Sequence, residues 1–174
     1  MVLSVSMSAR ALSCLLVLLA ACRPARSPRA VAEAAIDAAD RHDARAALAL
    51  QVSPELLARL VECEGDRERW LTPEGRREQL DKMRARLDEP GAAWRVKLVS
   101  FEEEDRATAW KSYLPGDRVR GRSCRVKTAF AREKYRIVLK VVDDREKQAS
   151  KPMELWRVGS EWYVWDDPMD TEVR

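Results

Sequence analysis

The chain contains little histidine and little glycine. Its 174 residues include one histidine, His42, and six scattered glycines. Scattered glycines do not make a glycine-rich loop that cradles phosphates. The four cysteines and one histidine also lack the close spacing of a zinc site. We therefore expect neither a metal ion nor a cofactor.

The chain also lacks an excess of charge of one sign. There are 32 lysines and arginines against 29 aspartates and glutamates, a formal net charge of +3. A domain dedicated to nucleic acid carries a strong basic excess. The near balance of charges therefore argues against nucleic acid as a partner.

A long apolar run is missing as well. The most apolar stretch extends from Ala11 to Ala21 and is interrupted by Ser13. A transmembrane helix needs about 20 consecutive apolar residues, so this stretch is too short. Its length, with Arg10 in front of it, is typical of the apolar part of a secretory signal peptide. We predict that residues 1–21 are a signal peptide.

The end of this signal is Leu19-Ala20-Ala21-Cys22, which resembles the lipobox of bacterial lipoproteins at all four positions. The resemblance implies cleavage before Cys22, a diacylglyceryl group on its thiol and an acylated amine. Each buried CH2 contributes about 0.8 kcal/mol, so such an anchor holds the protein on a membrane. Arg23 replaces the aspartate that retains enteric lipoproteins in the inner membrane, which favours the outer membrane. The alternative is an ordinary signal in which Cys22 is incidental.

Residues 22–30 hold two prolines and several arginines and predict a flexible basic tether after the lipidated cysteine. Eight extended residues reach at most about 28 Å, so the domain would work close to the membrane. Residues 31–174 predict a single domain, because no second boundary or repeat is visible. We expect localisation in the bacterial cell envelope, periplasm-facing or at the surface.

Two cysteines remain in the mature domain, Cys63 and Cys124. An even pair in an oxidising compartment predicts a disulfide. In the chain-entropy account, a loop of this length would stabilise the domain by about 4 kcal/mol. Two separate buried thiols are the alternative that the sequence leaves open.

Helical patterns occupy the first half of the domain. Ser53 and Thr72 are each followed by proline, a combination typical of a helix N-cap and first turn. An alanine-rich segment precedes them. The predicted helices cover residues 29–50, 53–65 and 72–89.

From residue 94 onward the apolar period changes to two, which predicts strands. The Gly159-Ser160 pair between the last two strands predicts a type II′ hairpin turn. The resulting register places Trp156 opposite Tyr163 and Leu155 opposite Val164. The predicted strands cover residues 94–101, 106–114, 118–130, 134–142, 153–158 and 161–166.

Both faces of this hairpin carry large apolar groups. One face holds Met153, Leu155, Trp162 and Val164, and the other holds Trp156, Tyr163 and Trp165. A half-buried sheet needs only one such face. We therefore expect helices on one face, and on the other a pocket, a second subunit or the C-terminal tail.

Helices followed by antiparallel strands ending in "ELWRVGSEWYVWD" resemble the NTF2-like (cystatin-like, cone-shaped) α+β superfamily, and in particular its small lipoproteins. The resemblance implies N-terminal helices packed on a curved antiparallel sheet of about five or six strands, around a pocket. Some members of that superfamily are isomerases or dehydratases, while others bind ligands or dimerise. Fold alone does not choose among these functions.

Large aromatic side chains are the candidates for a ligand or interface site, because they give rigid contact surfaces with polar tips. Burial in the core is the alternative for them. His42 is a candidate general base, against the alternative of a solvated helix residue. The aromatic candidates are Trp94, Trp110, Trp156, Trp162, Tyr163 and Trp165.

The function expected from the sequence is that of a non-enzymatic envelope lipoprotein that binds a small apolar ligand or a protein partner. One alternative is an enzyme of the isomerase or dehydratase kind, which needs an acid or His42 in a cavity. Another is a structural subunit that forms a homodimer through an exposed aromatic face of the sheet.

Overall fold

The computed structural model describes residues 26–64, 66–89, 96–104, 110–119, 123–141 and 148–166. Cys22 and Trp94 lie outside these ranges. The described part is an α+β fold, as expected, with helices before most of the strands. The helices are Pro28–Asp40 (α1), Ala44–Ala49 (α2), Pro54–Leu60 (α3) and Pro73–Leu87 (α4), with a 3-10 segment at Asp66–Leu71.

The strands form two antiparallel sheets. A curled five-stranded sheet has the order β2-β6-β7-β8, and β3 pairs with β6 beyond the end of β2. A small three-stranded sheet has the order β1-β5-β4. The strands are Val61–Cys63 (β1), Val96–Glu103 (β2), Trp110–Tyr113 (β3), Arg118–Val119 (β4), Cys124–Val126 (β5), Phe130–Val141 (β6), Gln148–Val158 (β7) and Glu161–Val164 (β8).

The prediction of one helix over residues 29–50 is wrong, because the helix breaks after Asp40. His42 adopts a left-handed φ of 55°, and its N–H donates to Ala39 while that of Asp43 donates to Ala38. These two bonds form a Schellman motif, which satisfies the last carbonyls of a helix. Asp43 then caps α2 by accepting the Ala46 N–H at 2.9 Å.

The N-caps of the next two helices are confirmed. Ser53 Oγ accepts the Leu56 N–H at 3.1 Å, and Thr72 Oγ1 accepts the Gly75 N–H at 3.1 Å. The predicted end of the second helix near Gly65 is wrong. The helix stops at Leu60 because residues 61–63 pair with β5 instead.

One predicted strand, residues 118–130, is divided. It gives β4, β5 and the first residue of the much longer β6. Thr128, inside the predicted strand, lies exposed between β5 and β6, where its hydroxyl donates to the Arg59 carbonyl at 3.0 Å. The division lets β4 and β5 turn away from the large sheet and form the small one.

The predicted hairpin register is confirmed residue by residue. Val158 pairs with Glu161, Trp156 with Tyr163 and Leu155 with Val164. Gly159 has a φ of 62°, a value that favours glycine and that a type II′ turn requires at this position.

The large sheet separates two cores. The side that we call the helical side packs mainly aliphatic residues, including Ile137, Met153 and Leu155, against α1, α2 and the end of α4. The side that we call the aromatic side packs Phe130 and Trp156 against α3, the 3-10 segment and the small sheet. Alternate residues of each hairpin strand therefore pack into the two different cores, as predicted.

The cover on the aromatic side comes from within the domain. Leu57 and Leu60 of α3 and Val126 of β5 are buried against this side. Trp156 is consequently 0% exposed and Trp165 is 8% exposed. In the described part of the chain, no helix is long and apolar enough to cross a membrane.

Candidate functional site

Five aromatic rings form a column along the aromatic side. The ring centroids of Tyr113 and Phe130 are 4.9 Å apart, those of Phe130 and Trp156 are 4.6 Å apart, and those of Trp156 and Trp165 are 4.3 Å apart. These three pairs are stacked. Trp70 ends the column in an edge contact with Trp165 at 5.7 Å. Such pairs contribute about 0.5–1.5 kcal/mol each beyond area burial.

Arg76 holds the last stacked ring of this column in place. Its guanidinium lies 4.3 Å from the centroid of Trp165, on the face opposite Trp156. Arg76 donates to the carbonyls of Val52 at 2.8 Å and of Trp165 at 2.9 Å, and to Gln51 Oε1 at 2.8 Å. Since both faces of Trp165 are covered, only its edge is left to meet Trp70.

A buried ion pair lies beside the column. Arg132 donates from Nε and Nη2 to the two carboxylate oxygens of Glu154, with 2.8 Å for the Nε bond. Trp156 Nε1 donates to the same carboxylate at 2.8 Å, and Arg132 reaches the Tyr113 hydroxyl at 3.3 Å. Burial acts to lower the pKa of Arg132, but the bonds to Glu154 outweigh it and raise that pKa. Arg132 therefore stays protonated, and it donates to both carboxylate oxygens of Glu154.

A cavity of about 310 Å³ opens next to this pair. We call it the Trp70 cavity. Trp70 and the edge of Trp165 form aromatic walls, Arg132 and Glu154 lie at its base, and Asp166 borders it. Lys134 and Pro152, from neighbouring strands, complete the lining. Ligand pockets measure about 300–1,000 Å³ and combine apolar walls with a few placed polar groups, and this cavity meets both criteria.

Asp166, which lines the cavity, has a raised pKa. Burial raises the pKa of its carboxyl, and the negative charge of Glu154 raises it further. The backbone N–H of Glu154 donates to Asp166 Oδ2 at 2.8 Å, which opposes these effects. Perturbed acids in cavities are common at functional sites.

A second cavity, of about 240 Å³, lies across Trp165 and Asp166 from the first. Its lining is mainly polar and basic, with Lys82 and Arg86 from α4 beside the buried Arg76. Trp165 and Asp166 border both cavities, so they form the wall between them.

The predicted aromatic residues fall into two groups. Trp156 and Trp165 belong to the column, and the half-buried Tyr163 packs beside them. Trp110 and Trp162 lie on the helical side. Trp94 is outside the described residues. Trp156 thus takes the core role left open above, while Trp165 is both core and cavity wall.

On the helical side, Arg157 connects the two tryptophans. Its guanidinium lies 5.9 Å from the Trp110 ring centroid and 5.6 Å from that of Trp162. Arg157 Nε is also 3.8 Å from Glu133, which accepts the Tyr135 hydroxyl at 2.6 Å. Burial, and then this hydrogen bond, raise the pKa of Tyr135. Glu133 is therefore already engaged by two side chains.

His42 is not a solvated helix residue, because it is half-buried at the end of α1. Its left-handed backbone ends α1, and its Nδ1 is 3.1 Å from the Leu87 carbonyl at the end of α4. The ring therefore links two helix ends. It does not line either cavity described above.

The predicted disulfide between Cys63 and Cys124 is present. The two residues are direct partners in the pairing of β1 with β5. The bond therefore fastens the small sheet that covers the aromatic column. Among the described residues, no group of three or more His, Cys, Asp or Glu side chains could hold a metal ion.

Sequence reasoning missed most of the cavity residues. It singled out Trp165 but not Trp70, Arg132 or Glu154. A signal was present for Glu154, because the hairpin register places this charged residue on the same face as Trp156. A charge between inward-facing tryptophans indicates a buried partner.

Comparison of the chain with models of protein families, with curated proteins and with solved structures gives no match.

Proposed function

We propose that this protein is a lipid-anchored lipoprotein of the cell envelope whose single domain binds a small ligand without transforming it. The apolar run before Leu19-Ala20-Ala21-Cys22 supports the signal and the lipidated Cys22. The domain would face the periplasm or the surface, close to its membrane. Arg23 favours the outer membrane as that site.

We also propose that the domain is a variant of the NTF2-like, cone-shaped superfamily. Helices that precede a curled antiparallel sheet of five strands support this assignment. The chain departs from an open cone because the small sheet covers one side. A homodimer through the hairpin aromatics is disfavoured by the burial of Trp156 and Trp165.

The Trp70 cavity is the observation that carries the ligand-binding proposal. Trp70 and Pro152 suit an apolar body, whereas Asp166 and Lys134 suit polar ends. A charged pair and two tryptophans surround an open space here. They lose packing contacts that a purely structural core would make. The ligand that we propose is therefore small and apolar in its body but polar at its ends. A protein partner presenting such a side chain would use the same contacts.

Native mass spectrometry of the full-length protein, purified in detergent from its envelope, tests both proposals. We expect a chain that begins at Cys22, carries acyl groups and retains a noncovalent adduct. Trp70→Ala should lose the adduct, whereas Trp110→Ala, on the helical side, should retain it. Adduct retention in Trp70→Ala and loss in Trp110→Ala would refute the cavity as the site.

The lipid anchor is tested in the same spectra by a matched pair of cysteine variants. Cys22→Ser should abolish the acyl mass, while Cys14→Ser should leave it unchanged. An unmodified Cys22 in the wild-type protein would contradict the anchor without affecting the ligand proposal.

An enzyme is the second candidate, and Asp166 is the observation that favours it. A carboxyl with a raised pKa beside a cavity can act as a general acid or base. Mass spectrometry of the released adduct before and after incubation with fresh protein separates the candidates. A catalytically converted mass that disappears in Asp166→Asn would favour the enzyme, and an unchanged mass favours binding alone.

A further inference from the structure

Side chains of the domain use most of the hydrogen-bonding capacity of Glu154, because they fill three of about four acceptor positions on its carboxylate. Both of its carboxylate oxygens accept bonds from Arg132, and one also accepts the Trp156 indole N–H. Arg132 also donates to the Tyr113 hydroxyl at 3.3 Å. This pair forms a neutral, rigid base, so recognition falls to the other charged groups of the lining.

Asp166, which lines the cavity, has one carboxylate oxygen that accepts no hydrogen bond from the described residues. Its Oδ2 accepts the Glu154 N–H, and no described residue donates to Oδ1. A half-buried carboxylate oxygen without a donor is costly unless water or a ligand donates to it. Lys151 and Arg76 also act on this carboxyl and favour its charged form. A charged carboxylate binds a cationic donor more strongly than a neutral one.

Lys134 offers the opposite charge. Its side chain is half-buried and makes no hydrogen bond or ion pair with any residue in the described ranges. Its direct partner across the strands is Glu154, whose oxygens are already bound by Arg132. The Lys134 ammonium is therefore free to bind an anionic group at the cavity.

An apolar surface lies within the same lining. Pro152 and Trp70 border the cavity, and Trp165 presents only its edge, because Arg76 and Trp156 cover its faces. The rings are fixed by stacking and by the hydrogen bonds of Arg76. A short carbon chain can therefore lie against a wall that is already ordered.

We propose that the Trp70 cavity binds a small zwitterion, with its ammonium on Asp166, its carboxylate on Lys134 and its carbon chain against Trp70 and Pro152. This assignment rests on the proposed ligand-binding function and names the ligand class. Each end of the ligand forms one charge-assisted hydrogen bond, so a molecule with both ends binds more tightly than a molecule with one.

Calorimetric titration of the full-length lipoprotein in detergent tests the class with probes of equal chain length: 4-aminobutyrate, butylamine and butyrate. The free amino acid alanine is a further probe, a zwitterion whose two charges are closer together. We expect one of the two zwitterions to bind at least about tenfold more tightly than either half-probe, a factor equal to one charge-assisted bond.

Two charge-removing variants assign the ends. Asp166→Asn keeps an oxygen for the Glu154 N–H, so the local fold is retained. This variant should bind the zwitterion no more tightly than the wild type binds butyrate. Lys134→Gln should bind the zwitterion no more tightly than the wild type binds butylamine. Asp37→Asn and Lys97→Gln, exposed on α1 and β2, are matched controls and should bind like the wild type.

If butylamine binds as tightly as the zwitterions or more tightly, the cavity is a cation site. If butyrate does so, the cavity is an anion site. Either result overturns the zwitterion proposal. If no probe binds while the native adduct persists in the wild type, the ligand class is wrong but the proposed function stands. If neither probe nor adduct binds, both proposals fail.

Discussion

The two sides of the large sheet are built from alternate residues of the same strands, yet they differ in kind. On the helical side, Met153 and Leu155 pack against small residues of α1 in a mostly aliphatic core. On the aromatic side, Trp156 stacks in a column and shares its environment with a buried ion pair. The second side borders the Trp70 cavity.

The difference follows from the shapes and polar needs of the side chains. Aliphatic residues against alanines can close at interior density, because they carry no group that needs a partner. Tryptophans are large and flat and bring an N–H that must be satisfied. Glu154 accepts the Trp156 indole N–H, and its buried carboxylate in turn needs Arg132 as a partner. Rigid rings around this charged pair do not fill the space beside it. Neighbouring residues of one strand thus serve stability on one side and a candidate site on the other.

The largest effect is expected at the two adjacent positions that face opposite sides. Trp156→Ala should lower the free energy of unfolding by about 5 kcal/mol, because it removes two stacked contacts and leaves Glu154 without the indole N–H. Leu155→Ala should lower it by about 3 kcal/mol through its cavity alone. Urea unfolding followed by circular dichroism measures both. A milder effect of Trp156→Ala would show that the column contributes little.

Removal of the disulfide should come next, and its effect should be concentrated on the aromatic side. Cys63→Ala with Cys124→Ala should lower the free energy of unfolding by about 4 kcal/mol in the chain-entropy account. Hydrogen exchange should accelerate more in β1 and β5 than in α1. The reduced wild type is the control and should match the double variant. Unchanged urea midpoints would contradict this role of the bond.

Breaking the buried ion pair should have a somewhat smaller effect. Arg132→Met leaves the Glu154 carboxylate buried without its cation, which should cost about 3 kcal/mol. Arg132→Met combined with Glu154→Leu should recover most of that loss, since no charge is stranded. On the helical side, Arg157→Met should cost less than about 1 kcal/mol, because Arg157 is 40% exposed and 3.8 Å from Glu133. Equal costs for Arg132→Met and Arg157→Met would erase this contrast between the sides.

The smallest expected effect is a pH dependence at the cavity. Burial and Glu154 raise the folded-state pKa of Asp166 while Lys151 and Arg76 oppose them, so folding favours its protonated form. Stability from this group is then greatest below the ordinary value of 3.8 and is lost as pH rises through the raised value. Asp166→Asn should therefore be more stable than the wild type at pH 7 and equal to it below 3.8. Thermal unfolding across pH measures this, and a less stable Asp166→Asn at pH 7 would contradict it.

Local chemistry explains what the sequence predicts well. The Gly159-Ser160 turn and the period-two pattern determine the register of β7 and β8, and this register assigns every hairpin side chain to a side. The caps at Ser53 and Thr72 also depend only on residues within one turn. These features need no knowledge of the distant chain.

Apart from the disulfide, the features that depend on distant residues were not predicted. The break after Asp40 is held partly by contacts of His42 and Asp40 with the far-off Leu87 and Val96. Strand β1 exists because of its pairing with β5. The Trp70 cavity joins a 3-10 segment to two strands and to the residues after β8, so no single stretch of sequence reveals it.

The central claim is that a ligand occupies the aromatic side and not the helical side. Fluorine NMR of the full-length protein labelled with 5-fluorotryptophan tests it directly, because its six tryptophans report on both sides. Spectra of the protein as purified from its envelope are compared with spectra after unfolding, ligand removal and refolding. We predict that the resonances of Trp70 and Trp165 shift while those of Trp110 and Trp162 coincide. Shifts confined to Trp110 and Trp162, or no shift at all, would contradict the account.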